Sequence, residues 1–180
     1  MSIFPYKKIL VIGPGGAGKS TFSKKLSKIL NIPVYHLDSI YWLPNWEHLE
    51  REEFIKKVRV ITSKDEWIID GNYSGSLEER VPLADIIIFL DFNITFCVFS
   101  ATRRMLRSKK VKRDDLTEGC EEKLDKNFFD FIKWVMAFRK KNRPRIISIF
   151  NKYSTPVIKF KNRKKLYKFL EEIEKEKSLV

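Results

Sequence analysis

The sequence predicts a three-layer α/β fold, in which a parallel sheet carries helices on both faces. Short apolar runs alternate with longer segments whose apolar residues recur at helical spacing, a pattern typical of parallel strands joined by crossover helices. A glycine-rich stretch separates the first apolar run from the first helical segment, which predicts a strand–loop–helix unit. A chain of 180 residues suits one domain with a substantial core.

The first half of the chain contains three of the five expected strands. Strands are expected where four to six apolar or β-branched residues stand together, and helices where apolar residues recur every three or four positions. In order, the expected elements are strand Lys8–Ile12, helix Ser20–Leu30, strand Ile32–Leu37 ending at Asp38, a loop over Ser39–Asn45, a helix from about Glu47 and strand Trp67–Asp70.

The second half adds two strands and three helices. Asp85–Asp91 is apolar between its acidic ends, as a central parallel strand should be. Pro144 predicts the end of the helix before it, since proline breaks helix interiors. In order, the expected elements are strand Asp85–Asp91, a helix from about Thr95, a helix over about Glu121–Lys141, strand Thr155–Phe160 and helix Arg163–Lys175. Two segments, about 39–64 and about 107–123, are predicted to be mobile inserts in the single domain 1–180.

Positive charge is the unusual feature of the composition. The formal net charge is +13 and the isoelectric point is about 9.7. Between Phe138 and Lys168 there is no acidic residue, whereas twelve positions are Lys or Arg, and a second basic cluster extends from Arg103 to Arg113. Such clusters keep a protein soluble, hold the phosphates of small ligands or bind nucleic acid. Charge alone leaves these alternatives open, including a nucleic acid partner.

Cysteine use and hydropathy limit the class of protein. Cys97 and Cys120 are the two cysteines, and with His36 and His48 they lack the spacing of a zinc site. Two reduced cysteines are typical of a cytoplasmic protein. No apolar run approaches the roughly 20 residues that span a bilayer, so we expect no membrane partner. The oligomeric state stays open.

The glycine-rich stretch fits the phosphate-binding pattern G-x-x-x-x-G-K-[ST]. Its glycines let backbone N–H groups approach a polyphosphate, and the helix that follows directs its amino-terminal dipole at the anion. Lysine in this pattern reaches the β- and γ-phosphates, and the serine hydroxyl ligates Mg²⁺. A turn without a ligand is the alternative, although strand, loop and helix agree with the first interpretation. The predicted nucleotide-binding residues are Gly13, Gly15, Gly16, Ala17, Gly18, Lys19, Ser20 and Thr21.

Three aspartates follow expected strands, and ligands of open α/β sheets bind beyond the carboxyl ends of strands. Asp70 is the candidate to hold Mg²⁺ through water, because hard oxygen ligands suit this ion; a turn or helix cap is the alternative. If the bound triphosphate donates a phosphoryl group to an acceptor, Asp38 is the candidate to orient or deprotonate the hydroxyl of that acceptor. A structural role of Asp38 in the loop is nearly as well supported. Asp91 is expected to cap its strand.

Three arginines are candidates for phosphate contacts, since a planar guanidinium binds phosphate through two hydrogen bonds. Arg103 and Arg107 lie four residues apart on one helix face, next to the second insert. Arg107 is expected to stabilise charge on the transferring phosphoryl group. Arg80 follows Asp70 by ten residues and is the candidate for acceptor binding. A solvated surface arginine is the alternative at each position.

Aromatic residues gather in the first insert and just after the third strand. Tyr41, Trp42, Trp46 and Tyr73 can stack on a base or a sugar. They can also form a small satellite core beneath the insert, and we favour that alternative. Tyr41, Trp42 and Tyr73 are kept as candidate acceptor-binding residues.

Several sequence motifs together resemble the bacterial family of DNA topology modulation proteins, which is related to adenylate kinases. The resemblance extends from about Lys8 to about Arg145 and rests on GPGGAGKST, HLDSIYWLPNW, EEF, WIIDGNYSGS, ADIIIFLDF and RDDLTEGCEEKLD. It implies an adenylate-kinase-like P-loop NTPase fold with strand order 2-3-1-4-5, binding of ATP and Mg²⁺, and phosphotransferase activity. It also implies that segment 39–64 is an acceptor-side insert and segment 107–123 a lid.

The resemblance assigns further roles. Asp70-Gly71 is similar to the Asp-Gly pair whose acid holds magnesium through water in adenylate kinases. Arg103 and Arg107 are similar to the arginine pair at the lid entrance, which contacts adenine and phosphates. Adenylate kinases continue Asp-Gly with Phe-Pro-Arg, whereas this chain has Asn72-Tyr73-Ser74. The His-Leu-Asp sequence ending at Asp38 resembles small-molecule kinases such as those for shikimate or gluconate.

These observations lead to one principal hypothesis and two alternatives. The principal hypothesis is a kinase that transfers the γ-phosphoryl group of ATP, with Mg²⁺, to a nucleotide, a nucleoside or a small hydroxylated metabolite. Its catalytic residues would be Lys19, Asp38 and Arg107. The alternatives are a nucleic-acid-associated NTPase that affects DNA topology and a regulatory ATP-binding protein without turnover.

Overall fold

Five parallel strands form one sheet at the centre of the protein. The computed structural model describes residues 6–108, 117, 119–120 and 124–178. Across the sheet the strands follow the order β2-β3-β1-β4-β5, and every neighbouring pair is parallel. This confirms the predicted sheet and its strand order. The strands are β1 Lys8–Ile12, β2 Val34–His36, β3 Trp67–Asp70, β4 Ile86–Leu90 and β5 Val157–Phe160.

Helices cover both faces of this sheet, so the predicted three layers are confirmed. On one face, α1, α5 and α7 bury Phe22, Cys97 and Leu166 against the strands. On the other face, α3 and the second half of α6 bury Phe54 and Ile146. The helices are α1 Lys19–Leu30, α2 Leu37–Tyr41, α3 Arg51–Thr62, α4 Leu77–Arg80, α5 Ile94–Ser108, α6 Lys126–Lys152 and α7 Arg163–Ser178.

The central strands are apolar because both of their faces are covered. Residues Ile9–Ile12 of β1 and Ile87–Leu90 of β4 have no exposed surface. The edge strand β5 has partly exposed residues. Within the described residues, no helix is long and apolar enough to cross a bilayer. The lid insert lies outside these residues, except for positions 107–108, 117 and 119–120.

Several predicted boundaries were wrong. The second strand ends at His36, and the expected loop begins as the short helix α2, so Asp38 lies in a first helical turn. Helix α6 starts later than expected, because the Asp125 side chain accepts a hydrogen bond from the Phe128 amide and caps it. It then continues through Pro144 to Lys152.

The continuation of α6 has a physical explanation in its apolar face. Proline in a helix interior costs about 3 kcal/mol. Beyond the proline, Ile146, Ile149 and Phe150 are buried against the sheet, and each such side chain contributes about 1.5–3 kcal/mol. Burial therefore offsets the cost of Pro144.

Candidate functional site

The glycine-rich loop joins β1 to α1 at the carboxyl edge of the sheet. Gly16 has a φ of +79°, and a Cβ atom there would collide with the carbonyl oxygen of Cys97 in α5. A Cβ atom at Gly15 would lie 2.7 Å from the ring of Phe131 and 2.9 Å from Val135, both in α6. The loop thus runs between two helices that leave no room for side chains at these positions.

The lysine of the loop is the first residue of α1. Its Nζ atom donates to the carbonyl oxygen of Pro14 at 3.2 Å, so the ammonium group lies over the loop. Ser20 and Thr21 follow in the first turn of the helix. The amide of Gly13 donates to Asn72 Oδ1 at 3.0 Å, which ties the loop to the chain after β3. The predicted phosphate-binding residues therefore form one contiguous site.

Asp70 ends β3 beside the loop, with Val11 as its neighbour in β1. Its carboxylate is 4% exposed, and Oδ2 lies 2.8 Å from Nδ1 of His36 at the end of β2. The sequence analysis left open that Asp70 caps a turn or helix, but the side chain does not have that role. It is instead held by a neighbouring strand at the edge where ligands of such sheets bind.

Asp38 projects from α2 toward the chain that follows β3. The hydroxyl of Tyr73 donates to Asp38 Oδ1 at 2.7 Å. Burial, and then the charge of Asp38, raise the pKa of Tyr73, so the phenol stays protonated and acts as the donor. Asp38 is only partly buried, which leaves part of its surface open toward solvent.

The aromatic residues of the acceptor-side insert pack on one another. The ring of Tyr41 lies 4.9 Å from Tyr73, 5.3 Å from Phe54 and 5.3 Å from His48, where the rings are stacked. Trp42 forms edge contacts with Tyr41 and Trp46. This geometry fits the satellite core that the sequence favoured. An acceptor contact of Tyr41, Trp42 or Tyr73 stays a prediction.

Arg80 does not fit the acceptor role that its spacing from Asp70 suggested. The side chain has no exposed surface. Its guanidinium donates to the carbonyl oxygens of Gly71, Asn72, Tyr73 and Ser76 and to the Ser76 hydroxyl. Burial lowers its pKa to about 9, which still leaves it charged at neutral pH. Arg80 therefore shapes the loop after β3 from inside, because its side chain has no exposed surface to offer a ligand.

The lid-side arginines lie on α5. Arg103 and Arg107 are exposed, and Arg104 lies 6.0 Å above the ring of Phe131. Most of the lid insert that they precede is outside the described residues. Contacts of Arg103 and Arg107 with a nucleotide therefore stay predictions.

The described part of the lid insert contacts the acceptor-side insert. The Thr117 hydroxyl donates to the carbonyl oxygens of Ser39 and Trp42. The Cys120 thiol donates to the carbonyl oxygen of Leu43 at 3.0 Å. The described residues of the two inserts are thus in contact, although the chain separates them by more than 70 residues.

Sequence reasoning missed an ion pair at the end of β4. Asp91 was expected to cap its strand, but its two carboxylate oxygens accept from Arg143 of α6 at 2.9 and 2.8 Å. The hydrogen bonds from Arg143 hold the pKa of Asp91 below its usual value. A signal existed, since Phe131, Val135, Arg139 and Arg143 recur at intervals of four and share a helix face.

His36 and Asn72 were also not selected from the sequence as site residues. His36 was considered only as a zinc ligand, and Asn72 only as part of a departure from adenylate kinases. His36 is the last residue of β2 and Asn72 follows the last residue of β3 by two positions, which is the signal that could have identified them. Each now has a polar partner within the site, Asp70 for His36 and the Gly13 amide for Asn72.

The donor set around the loop fits a magnesium ion bound mainly through phosphates and waters. Ser20 offers a hydroxyl and Asp70 a carboxylate, the hard oxygen ligands that Mg²⁺ prefers. In the described part of the chain, no group of three or more His, Cys, Asp or Glu side chains forms a metal cage. An ion that depends on a bound nucleotide for further ligands is consistent with both observations.

Comparisons with known proteins show the fold. No family model matches the chain, and no curated protein matches it. Shikimate kinase from Bacteroides thetaiotaomicron is 16% identical with a TM-score of 0.51, over 94% of this chain and 97% of that chain. Shikimate kinase from Acinetobacter baumannii, in complex with shikimate, is 16% identical with a TM-score of 0.58, over 95% of this chain and 92% of that chain. These neighbours support the adenylate-kinase-like P-loop fold, and no family model supports membership of the DNA topology modulation family.

Proposed function

We propose that this protein is a Mg²⁺-dependent kinase that transfers the γ-phosphoryl group of ATP to a small hydroxylated metabolite. One observation carries the proposal. The phosphate-binding loop, the Asp70 carboxylate and the Asp38 carboxylate all lie at the carboxyl edge of one parallel sheet, with Tyr73 fixed on Asp38 and His36 on Asp70. This is the edge where open α/β sheets bind their ligands.

On the nucleotide side, the loop amides and the Lys19 ammonium bind the phosphates. Ser20 and Asp70 are the residues that would hold Mg²⁺, Asp70 through water. The ion supplies neutralisation of charge on the β- and γ-oxygens. Lys19 already lies over the loop through its contact with Pro14, so phosphate oxygens would replace that carbonyl as its partner.

On the acceptor side, Asp38 orients the attacking hydroxyl and takes its proton. The Tyr73 hydroxyl donates to Oδ1 of Asp38 and restrains the rotamer of the carboxylate that would face the acceptor. A base must lie within hydrogen-bond reach of the proton that it takes. The partial exposure of Asp38 is consistent with that requirement.

We favour a small hydroxylated metabolite over a nucleoside monophosphate as the acceptor. A phosphate acceptor needs a cation, yet Arg80 is buried on backbone carbonyls and Asn72 binds the Gly13 amide. The chain also shares its fold with a shikimate kinase in complex with shikimate, so this fold accommodates a small hydroxylated acid. Nucleotides and nucleosides remain arms of the test.

Arg139 is a further candidate for contact with the transferring phosphoryl group. On α6, Val135 contacts Gly15 of the loop and Arg143 binds Asp91. Arg139 lies midway between them at intervals of four residues and is exposed, so it belongs to the same helix face. Arg107 would approach the phosphates from α5, which packs beside α6.

The test is a screen for acceptor-dependent ADP formation. The panel contains nucleoside monophosphates, nucleosides and small hydroxylated acids and sugars, each with ATP and Mg²⁺. We expect stimulation by a hydroxylated metabolite, and its loss in Asp38→Asn. ATP binding without stimulation by any acceptor would contradict the proposal and favour a regulatory ATP-binding protein.

A second candidate function, association with nucleic acid, is favoured by one observation. Exposed basic residues concentrate on the second half of α6, on β5 and at the start of α7; they are Arg139, Lys140, Lys141, Arg145, Lys152, Lys159, Lys161, Arg163, Lys164, Lys165 and Lys168. Such a surface attracts polyanions. Solubility and phosphate contact explain the same surface, so this candidate depends on a measurement of binding.

A further inference from the structure

His36 and Asp70 form a buried polar pair at the carboxyl edge of the sheet. They end neighbouring strands and are register partners in β2 and β3. His36 is 9% exposed and Asp70 is 4% exposed, and Nδ1 lies 2.8 Å from Oδ2. A buried carboxylate without a partner is costly, so this contact is part of what allows Asp70 to occupy the site.

The contact fixes the tautomer of the imidazole. A carboxylate only accepts hydrogen bonds, so Nδ1 carries a hydrogen, and in a neutral ring Nε2 is then an acceptor. Nε2 is wholly buried and has no hydrogen-bond partner among the described residues. If the ring only filled space in the core, an apolar side chain would give a more stable protein, because an unpaired buried polar atom costs free energy. The hydrogen bond to Asp70 is therefore what His36 supplies here and an apolar side chain could not.

The second carboxylate oxygen of Asp70 has a different environment. In the described part of the chain, no residue donates a hydrogen bond to Oδ1. With Oδ2 occupied by His36, the carboxylate has one oxygen bound by the protein and one left for a water molecule. That division suits an acid that acts on a metal ion through water.

We propose that His36 is a positioning residue, which holds Asp70 in the rotamer that receives a magnesium-bound water. The inference rests on the proposed function, because it assigns a purpose to Asp70 in the binding of Mg²⁺ with ATP. His36 touches neither ATP nor the acceptor in this role. It acts through the carboxylate, as the partners behind ligands commonly do in metal sites.

Two substitutions separate this role from packing. His36→Asn places an amide N–H group near the position of Nδ1 and keeps a donor for Asp70, whereas His36→Leu fills space without a donor. Val58→Ala is the control for packing, since Val58 is a fully buried core residue that has no polar contact with the site. It reports what a loss of stability alone does.

The experiment measures the Mg²⁺ concentration at half-maximal binding of a non-hydrolysable ATP analogue by titration calorimetry. We expect His36→Leu to raise it about tenfold, with His36→Asn and Val58→Ala within about threefold of the wild type. Equal effects of Leu and Asn, or no effect of either, would overturn the proposal. Binding of the analogue by the wild type without any dependence on Mg²⁺ would overturn both this proposal and the role of Asp70.

A second measurement needs neither metal nor nucleotide. In ¹⁵N-labelled protein, we expect the ring nitrogens of His36 to show a hydrogen on Nδ1 and none on Nε2, and we expect Asp70→Asn to change that pattern. This measurement remains informative when a variant binds the nucleotide poorly. A ring protonated on Nε2 alone in the wild type would contradict the proposed contact, whatever the activity of the protein.

Discussion

Lys19 shows how one side chain can serve the site without supporting the fold. Its ammonium group contacts one carbonyl oxygen of the loop and is partly exposed. We expect Lys19→Ala to lower ATP turnover at least about 100-fold, the usual effect of removing a group that stabilises transition-state charge. The melting temperature should change little. Lys28→Ala, on the exposed side of the same helix, is the control. Turnover at the wild-type rate in Lys19→Ala would exclude a phosphate-binding role.

The two site aspartates should fail in different ways. Asp70→Asn is expected to weaken the Mg²⁺ dependence of ATP binding, because the neutral amide no longer attracts Mg²⁺ and the water molecules bound to it. Asp38→Asn is expected to reduce transfer to the acceptor about 100-fold or more, with ATP binding unchanged. Steady-state kinetics and calorimetry on both variants separate these effects.

The control for this pair lies at the other end of the sheet. Asp85 accepts hydrogen bonds from the amides of Lys7 and Lys8, far from the loop. Asp85→Asn should lower stability without changing metal dependence or transfer. Full transfer by Asp38→Asn, together with unchanged metal dependence in Asp70→Asn, would refute both assignments.

At the scale of elements, the ion pair between Asp91 and Arg143 connects the end of β4 to α6. The pKa of Asp91 is lowered, mainly by the hydrogen bond from Arg143. A carboxyl group whose pKa is lower in the native state stabilises the protein above its unfolded pKa, near 4. That stabilisation is lost as the pH falls through the lower native pKa.

The pH dependence of the free energy of unfolding tests the contribution of this ion pair. We expect Asp91→Asn to lower the free energy of unfolding by about 2 kcal/mol at neutral pH, since the amide replaces one of the two buried carboxylate oxygens that accept from Arg143 with an N–H donor. The difference from the wild type should shrink as the pH falls below about 4. Urea denaturation across this range measures it. Glu79→Gln, which breaks an exposed pair with Arg59, should have no measurable effect, and a constant difference for Asp91→Asn at every pH would contradict the prediction.

The elements also show what the sequence could and could not predict. The strands and the loop follow from local patterns, because a buried parallel strand must be apolar along its length and a phosphate loop needs glycine at fixed spacing. The passage of α6 through Pro144 is not local, since it depends on burial of Ile146, Ile149 and Phe150 against a distant sheet. Arg80 was misinterpreted for a similar reason. Its partners are backbone carbonyls, and backbone atoms carry no signal in a sequence.

At the scale of the whole molecule, the two candidate functions assign different roles to the basic residues that give the net charge of +13. If the lid closes over ATP, Arg107→Ala should reduce turnover strongly, because lid residues exclude water and compensate charge on the phosphoryl group. Any affinity for DNA should come mainly from the acid-free stretch 138–168. It should fall with salt in proportion to the number of phosphates neutralised.

One comparison on matched proteins decides between them. Turnover and DNA binding are measured for Arg107→Ala and for the double variant Lys164→Ala and Lys165→Ala. We expect the first to lose turnover only, and the second to lose whatever DNA binding exists while keeping turnover. Loss of DNA binding with intact turnover in Arg107→Ala would favour the nucleic-acid function over the kinase lid.

The contact between α6 and the loop has a practical consequence. Trp134 is 41% exposed and stacks on Phe131 at 6.1 Å, and Phe131 lies against Gly15 of the loop. Trp67 is fully buried, and Trp42 and Trp46 lie in the aromatic cluster of the acceptor-side insert. The indole of Trp134 therefore lies one ring away from the loop. If the loop binds a nucleotide, we expect the emission of Trp134 to change without a dye or label, and Trp134→Phe identifies its share of the signal.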